Sequence, residues 1–202
     1  MADIQTLRFY QHNADEIFAR YESVKSPLSS LFVGCFVPQS TVLDIGCGSG
    51  RDVLALLAAG YDAYGVEPCE ALRALSVTTH PKLHNRIASD QLPSLPVASQ
   101  FDGVLCCAVL MHLPAKDHLA ALQNIRSIQP CGGRFLISVP ATREDVDAHS
   151  RDQHQRLFEP IYEDRLILQA EKAHYKLLKR FSNDDALGRS SVSWLTLLFE
   201  AV

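Results

Sequence analysis

Apolar residues recur every three or four positions along the first part of the chain, from Ile4 to Val24. This spacing is typical of amphipathic helices and predicts one or two helices over residues 4–24. A shorter apolar run predicts another helix over 28–36, which ends before Pro38 because a residue that precedes proline disfavours the helical conformation. The chain is therefore expected to begin with helices.

Short apolar runs then alternate with helical patterns between residues 41 and 140. Buried parallel strands have nearly continuous apolar sequences, and the helices between them return the chain to the same end of the sheet. The alternation therefore predicts a mainly parallel, doubly wound α/β sheet that is covered on both faces. The predicted strands are 41–45, 61–68, 84–90 (the weakest), 101–109 and 132–140, and the predicted helices are 51–59, 68–76 and one from about 119 that stops at Pro130.

The pattern changes after Pro140. A polar loop precedes a helix predicted over 160–173, and two apolar runs, 175–181 and 192–202, are close enough in sequence to form an antiparallel hairpin. No repeat and no long linker separates domains, so we expect a single domain over residues 1–202. Within it we distinguish an N-terminal helical segment (1–38), a central α/β core (40–140) and a C-terminal loop, helix and hairpin (141–202).

Composition and charge narrow the function classes. Hydrophobic residues make up 47% and charged residues 21% of the 202 residues, which is ordinary globular usage. The formal net charge is -4 with basic and acidic residues interleaved, which argues against nucleic acid as a partner. No stretch approaches the roughly 20 apolar residues that span a bilayer, and the first ten residues do not resemble a signal peptide. We therefore expect no membrane partner and a cytoplasmic location.

The cysteines do not indicate a metal centre. They form no C-x-x-C pair and have no histidine at zinc-ligand spacing. We interpret them as reduced thiols in the core and expect no metal. The six are Cys35, Cys47, Cys69, Cys106, Cys107 and Cys131.

The stretch TVLDIGCGSGRD, residues 41–52, carries the strongest chemical signal. It follows a buried strand with an acid and three alternating glycines and then enters a helix. A loop without side chains lets a ligand approach the main chain, beside amide donors and the positive end of a helix. Glu67 follows the next strand, where a carboxylate can accept both hydroxyls of a ribose. The sequence therefore predicts a nucleotide-type ligand.

Nicotinamide dinucleotides are one of two cofactor classes that bind to a strand, glycine loop and helix of this kind. The dinucleotide fingerprint is G-x-G-x-x-G, whereas this chain has G-x-G-x-G with Asp44 two residues before the first glycine. The spacing departs from the nicotinamide pattern.

The ordered set VLDIGCGSG, GVEPCE, ASDQLP, FDGVLCCAVLMHLP and CGGRFLISVP, over about residues 40–140, resembles the class I S-adenosylmethionine-dependent methyltransferases. The N-terminal FYQHNADEIFARY is similar to the leading helices that close over the cofactor in many small-molecule members. The resemblance implies a Rossmann-like fold, an N-terminal helical lid and S-adenosylmethionine as cofactor, with S-adenosylhomocysteine as product.

The resemblance also implies roles for single residues. Asp44 and the glycine loop would surround the methionyl end, Glu67 would hold the ribose, and Asp90 would accept a bond from the adenine amino group. Cys106 and Cys107 would lie beside the methionyl chain. The full predicted cofactor set is Tyr10, Tyr21, Asp44, Gly46, Cys47, Gly48, Ser49, Gly50, Asp52, Glu67, Pro68, Asp90, Gln91, Leu92, Cys106 and Cys107.

The acceptor is expected beyond the carboxyl ends of the strands, where ligands bind in open α/β sheets. Three segments should emerge there: the one after the fourth strand, the polar loop 141–158 and the hairpin turn 182–191. His112 is the candidate base in the first segment, although a histidine between Met111 and Leu113 is also typical of a packed structural residue. The candidate acceptor-side residues in the other two are His149, Arg151, His154, Arg156, Asp185 and Arg189.

The sequence limits the chemical class of the acceptor but does not identify it. The fourth strand leads into CCAVLMHL, not into the Asn/Asp-Pro-Pro-aromatic motif of enzymes that methylate amino groups of nucleic acids or glutamine. A small molecule is therefore the leading acceptor class. An NAD(P)-dependent oxidoreductase and a non-catalytic S-adenosylmethionine-binding protein stay as alternatives, and the oligomeric state is left open.

Overall fold

The computed structural model describes residues 3–95, 99–183 and 192–202, and they form one seven-stranded sheet with helices on both faces. The strand order is β3-β2-β1-β4-β5-β7-β6. The strands are β1 (Thr41–Ile45), β2 (Asp62–Val66), β3 (Ile87–Ala88), β4 (Gly103–Cys107), β5 (Arg134–Arg143), β6 (Tyr175–Asn183) and β7 (Val192–Ala201). The helices are α1 (Ile4–His12), α2 (Ala14–Glu22), α3 (Phe32–Cys35), α4 (Arg51–Ala58), α5 (Glu70–Thr79), α6 (His118–Ser127) and α7 (Glu163–Lys172).

The predicted fold class is confirmed. Strands β3, β2, β1, β4 and β5 pair in parallel, and the C-terminal hairpin adds β7 antiparallel to β5, with β6 outside it. The chain winds from β1 outward to β3 and then returns to β4 on the other side of β1. This reversal between β1 and β4 creates the crevice in which ligands of open α/β sheets bind.

Two apolar layers lie on opposite faces of the sheet. One joins β4, β5 and β7 to α6 and α7 through residues such as Ile125, Phe135 and Leu166. The other joins the sheet to α3 and α4 through Phe32, Val53 and others. A separate, smaller cluster joins α1 and α2 to α5. The N-terminal helices therefore rest on α5 at the edge of the crevice, not on the sheet.

Several boundaries differ from the predictions. The helix expected over 28–36 is a 3-10 turn (Ser29–Leu31) followed by the single turn of α3. Helix α7 begins at Glu163, three residues after the predicted start, and β3 is only two residues long. Helix α5 begins at Glu70 and not at Pro68, because the carboxylate of Glu67 binds the Cys69 amide ahead of the helix.

Strand β5 continues to Arg143 although a loop was predicted after Pro140. Strand β4 pairs with it only as far as Ser138, and a register shift against β7 follows Pro140. A proline without an N–H is tolerated at such an edge or bulge position.

In the part of the chain that the structure describes, no helix combines the length and apolarity needed to cross a membrane. In the same residues, no group of three or more His, Cys, Asp or Glu side chains is arranged to hold a metal ion. Four of the six free cysteines are buried, Cys107 is half-buried and Cys131 is exposed.

Candidate active site

A cleft opens at the carboxyl ends of β1, β2 and β4, beneath α1 and α2. It brings together most of the residues predicted for the cofactor, together with His112. The lining residues are Asp3, Thr6, Leu7, Tyr10, Tyr21, Asp44, Ile45, Gly46, Cys47, Gly48, Ser49, Arg51, Asp52, Glu67, Pro68, Leu72, Asp90, Gln91, Leu92, Cys107, Ala108, Val109, His112 and Leu113.

The glycines of the loop are required by its backbone and its packing. Gly46 and Gly50 have φ of +70° and +79°, a left-handed conformation that L side chains adopt only at a cost. A Cβ at Gly46 would also collide with Val109, and one at Gly50 with Leu83. The absent side chains thus make room for protein atoms as well as for a ligand, and Gly50 does not itself line the cleft.

Most amides of the loop are already bonded inside the protein. Gly46 and Cys47 donate to the carbonyl of Val66, and Gly50 donates to the carbonyl of Cys47. Gly48 donates to Glu67 Oε2 at 2.9 Å. The amides left to meet a ligand are therefore that of Ser49 and those of the first turn of α4, which begins at Arg51 and whose leading N–H groups have no intrahelical partner.

Glu67 is a buried carboxylate that is fixed in position. It is 7% exposed, and its second oxygen, Oε1, accepts from the Cys69 amide at 2.8 Å. Burial raises the pKa of Glu67, while the Cys69 and Gly48 amides act in the opposite direction. Each oxygen of a carboxylate can accept more than one hydrogen bond, so this side chain can still accept bonds from a ligand in the cleft.

Asp44 and Asp52 add two more buried acids to the same cleft, 3% and 6% exposed. Burial and the neighbouring Asp52 raise the pKa of Asp44, and the Arg51 guanidinium partly offsets this rise. Three acids lie here near two arginines, Arg51 and Arg73, so the remaining negative charge favours a cationic group.

Another wall of the cleft is formed by Asp90, Gln91 and Leu92, which follow β3. The Gln91 side-chain oxygen Oε1 is buried and has no hydrogen-bond partner in the structure. Buried acceptors are normally satisfied, so an unpaired one at a cleft wall indicates a position where a ligand donor is expected.

The N-terminal helices cover the cleft with two tyrosines, as predicted. The Tyr21 ring lies directly above the glycine loop, since a Cβ at Gly48 would lie 3.1 Å from its Cε2. Arg51 holds the end of α2 by donating to the carbonyls of Tyr21 and Val24, at 3.2 Å each. The first turn of α4 therefore anchors the cover over the cleft.

The two cysteines that end β4 lie in different places. Cys107 lines the cleft, whereas Cys106 is fully buried and packs in the core layer toward α6 and α7. Successive residues of a strand face opposite sides, so one of the two had to point away. Burial raises the pKa of Cys107, and the nearby Asp52 and Asp44 raise it further, so that this thiol stays protonated near neutral pH.

His112 lies at the end of the cleft that is formed by the segment after β4, in a 3-10 turn (Leu110–His112). Its Nε2 lies 3.2 Å from the Tyr10 hydroxyl and its Nδ1 lies 2.6 Å from the carbonyl oxygen of Leu157. Burial lowers the pKa of His112 to about 4, and Arg156 and Arg143 lower it as well. The imidazole is therefore neutral near pH 7.

The polar loop after β5 surrounds this end of the cleft without lining it. Arg156 is held by the buried Asp152 through bonds of 2.8 and 2.6 Å, and Arg151 pairs with Asp3. His154 packs on the Phe9 ring, and His149 is exposed. Asp185 and Arg189 lie outside the described residues, as does the rest of the turn over 184–191.

The cleft is also lined by Asp3, Thr6 and Val109, which were not predicted from the sequence. Asp3 caps α1 by accepting from the Thr6 amide at 2.9 Å, and this D-x-x-T capping pattern was readable from the sequence. Asp3 pairs with Arg151, and Thr6 accepts a hydrogen bond from the Leu157 amide. Each contact joins residues that are about 150 positions apart, so no local sequence pattern predicts it.

A family model described as a methyltransferase domain matches residues 5–182. An uncharacterized methyltransferase of Alkaliphilus oremlandii (strain OhILAs) is 25% identical over 162 residues, which cover 79% of this chain and 70% of that protein.

Solved structures that share the fold include the following two methyltransferases. The 1,6-didemethyltoxoflavin-N1-methyltransferase of Burkholderia thailandensis, with 1,6-didemethyltoxoflavin and S-adenosylhomocysteine bound, has a TM-score of 0.74 at 21% identity, with 96% of this chain and 84% of that chain covered. The CcbJ methyltransferase of Streptomyces caelestis also has a TM-score of 0.74, at 18% identity, with 99% of this chain and 100% of that chain covered.

Proposed function

The chain belongs to the methyltransferase-domain family, and from that premise we propose that it transfers a methyl group from S-adenosylmethionine to a small-molecule acceptor. The observation that carries the proposal is the arrangement of one cleft. This cleft is lined by the fixed carboxylate of Glu67, by buried acids beside the glycine loop and by the unpaired Gln91 oxygen.

The cleft fits the chemistry of this cofactor. Asp44 and Asp52 provide negative charge for the cationic amino-acid end, and the first turn of α4 provides N–H donors for its carboxylate. Glu67 would accept from the ribose hydroxyls, and the Gln91 oxygen would accept from the adenine amino group, a role that the family resemblance implied for Asp90. When bound, the cofactor supplies a methyl group on a positively charged sulfur, which is already activated for displacement.

The protein's task in such a displacement is orientation. Holding two reactants in line can account for about 7–11 kcal/mol of barrier lowering. Tyr10 and Tyr21 close the cleft from above and would exclude water, and apolar Leu7, Val109 and Leu113 leave a largely apolar space beside them. A compact acceptor suits this space, and the Burkholderia protein that shares the fold holds a small heterocycle.

The remaining expectations extend the proposal. The segments 1–38, 40–140 and 141–202 would act as lid, cofactor core and acceptor side. A cytoplasmic location and the lack of a nucleic-acid partner stay predictions. The acceptor-side roles of His149, Arg151, His154, Arg156, Asp185 and Arg189 also stay predictions.

Calorimetry with S-adenosylhomocysteine tests the proposed cofactor. The wild-type protein should bind this thioether and should not bind NAD. Glu67→Gln should weaken binding about 10- to 100-fold, since hydrogen bonds to a charged group contribute roughly 1.5–3 kcal/mol. The matched control is Glu70→Gln, an exposed acid three residues away at the start of α5, which should bind as the wild type does.

Tight NAD binding without thioether binding would instead favour the oxidoreductase. A protein that binds the thioether but transfers no labelled methyl group to any pool of small metabolites would be the non-catalytic binder.

A further inference from the structure

His112 has two hydrogen-bond partners, and together they fix the position of its proton. The Leu157 carbonyl can only accept, so the nitrogen that faces it, Nδ1, carries the hydrogen. Because the neutral ring has one N–H, Nε2 is left with a lone pair. The Tyr10 hydroxyl, 3.2 Å away, must therefore be the donor in that bond.

Both partners depend on α1. Tyr10 is part of this helix, and Leu157 is tied to it because the Leu157 amide donates to Thr6 Oγ1 at 2.9 Å. Thr6, which is 3% exposed, in turn donates its hydroxyl to Asp3 Oδ1 at 2.8 Å. Arg151 holds Asp3 with two bonds of 3.1 and 2.8 Å. Helix α1 therefore supplies one partner of His112 and is bonded to the residue that supplies the other.

We propose that docking of α1 assembles a proton relay in which Tyr10 and His112 accept the proton of a weakly acidic O–H or ring N–H acceptor, with Thr6 as the positioning residue. The inference rests on the proposed methyl transfer. It assigns a chemical class to the acceptor, which the cofactor site leaves open.

The relay balances without any further reactant. The electron pair of the acceptor's X–H bond forms the new C–X bond, and the pair of the broken S–CH3 bond stays on sulfur. The acceptor's proton passes to Tyr10 Oη as the Tyr10 proton passes to His112 Nε2. One positive charge disappears from sulfur and one appears on the imidazole, so the total charge of the cleft is unchanged.

Charged groups of the loop and of β5 surround the relay. Arg156 interacts with the Tyr10 hydroxyl and would stabilise negative charge on that oxygen during the transfer. The groups that face His112 are Tyr10 from α1, Arg143 from β5, and Arg156 and Asp152 from the loop. Burial and the two arginines keep the ring neutral before the transfer and disfavour the imidazolium that the relay forms, whereas the Leu157 carbonyl and the Asp152 carboxylate favour it.

Nitrogen-15 spectra of the histidine side chains test the relay without any substrate. We expect wild-type His112 to carry its hydrogen on Nδ1 and to stay neutral down to about pH 5. Thr6→Val should release Leu157, so that the single tautomer is lost. Because the Leu157 hydrogen bond raises the pKa of His112, the titration midpoint should then fall below about 4, further from the ordinary 6.5. Thr6→Ser, which keeps the hydroxyl, should restore the wild-type behaviour.

The matched control is Thr78→Val, an exposed helical threonine on α5, which should leave the His112 signals unchanged. A wild-type ring with its hydrogen on Nε2 would overturn the relay even if Thr6→Val failed to fold. A folded Thr6→Val protein with unchanged His112 signals would overturn the positioning role.

Labelled methyl transfer into a small-molecule extract tests the acceptor class. Products methylated on hydroxyl oxygen or ring nitrogen would support the relay, and products methylated only on thiols or carboxylates would contradict it. Loss of thioether binding, or transfer to no molecule at all, would instead contradict the proposed function on which the relay rests.

Discussion

The two ends of the cleft are built in different ways. The cofactor end is local in sequence: residues 44–52 form a strand end, a loop and a helix start, and Glu67 follows at the next strand. The acceptor end joins α1 to a loop about 150 residues away through pairs such as Arg151–Asp3 and Leu157–Thr6. The cofactor end is therefore set by backbone geometry, whereas the acceptor end depends on hydrogen bonds between α1 and a distant loop.

The largest loss of stability should follow the removal of the Asp152 side chain at the acceptor end. Its side chain is 2% exposed and binds Arg156, which is 12% exposed. Removing one partner of a buried pair typically costs about 3–5 kcal/mol, because the remaining charge is left without compensation. We expect Asp152→Ala to lower the free energy of unfolding by about this amount in urea titrations.

The control for that change is Asp145→Ala. The Asp145 side chain is 55% exposed and binds Arg143, so its loss should cost under about 1 kcal/mol. Equal losses for the two variants would contradict the assignment of Asp152 as the central support of the loop.

The cofactor end should lose stability when the backbone conformation of its glycine loop is disturbed. Gly50→Ala places a Cβ in a left-handed residue, at about 1–2 kcal/mol, and against Leu83, where overpacking adds about 1–3 kcal/mol. Urea unfolding should show a total loss of about 2–5 kcal/mol. Gly132→Ala has a similar φ, +83°, with no atom within 4 Å of the new Cβ, and should show the conformational part alone.

The junction of the lid with the loop should respond to acid. Burial opposes ionisation of Asp3, but its bonds with Arg151 and Thr6 lower its pKa to about 2 from the usual 3.8. A lowered pKa in the folded state stabilises the fold above pH 4, and this contribution is lost as the pH falls toward 2. Asp3→Asn should remove up to about 2 kcal/mol of stability at pH 7 and flatten the stability profile between pH 4 and 2.

The smallest effect should come from His149→Ala. This side chain is exposed on the loop, so the free energy of unfolding should change by less than about 0.5 kcal/mol. Its affinity for S-adenosylhomocysteine should equal that of the wild type. A loss of affinity in calorimetry would show that the loop reaches the cofactor, contrary to the division of the cleft.

The same contrast explains what the sequence could predict. The strand–glycine loop–helix unit and Glu67 were predictable because strand, turn and helix signals are local. Cys106 was placed wrongly in relation to the cleft because two adjacent strand residues were assigned to one face. The Thr6–Leu157 contact could not be predicted, since it depends on how a helix at one end of the chain docks on a loop near the other.

The most direct test of the central claim is a crystal structure with S-adenosylhomocysteine bound. We predict that both ribose hydroxyls lie within hydrogen-bond distance of Glu67 and that the amino-acid end lies at the first turn of α4. A bound ligand whose ribose lies away from Glu67, or a ligand found outside this cleft, would contradict the assignment.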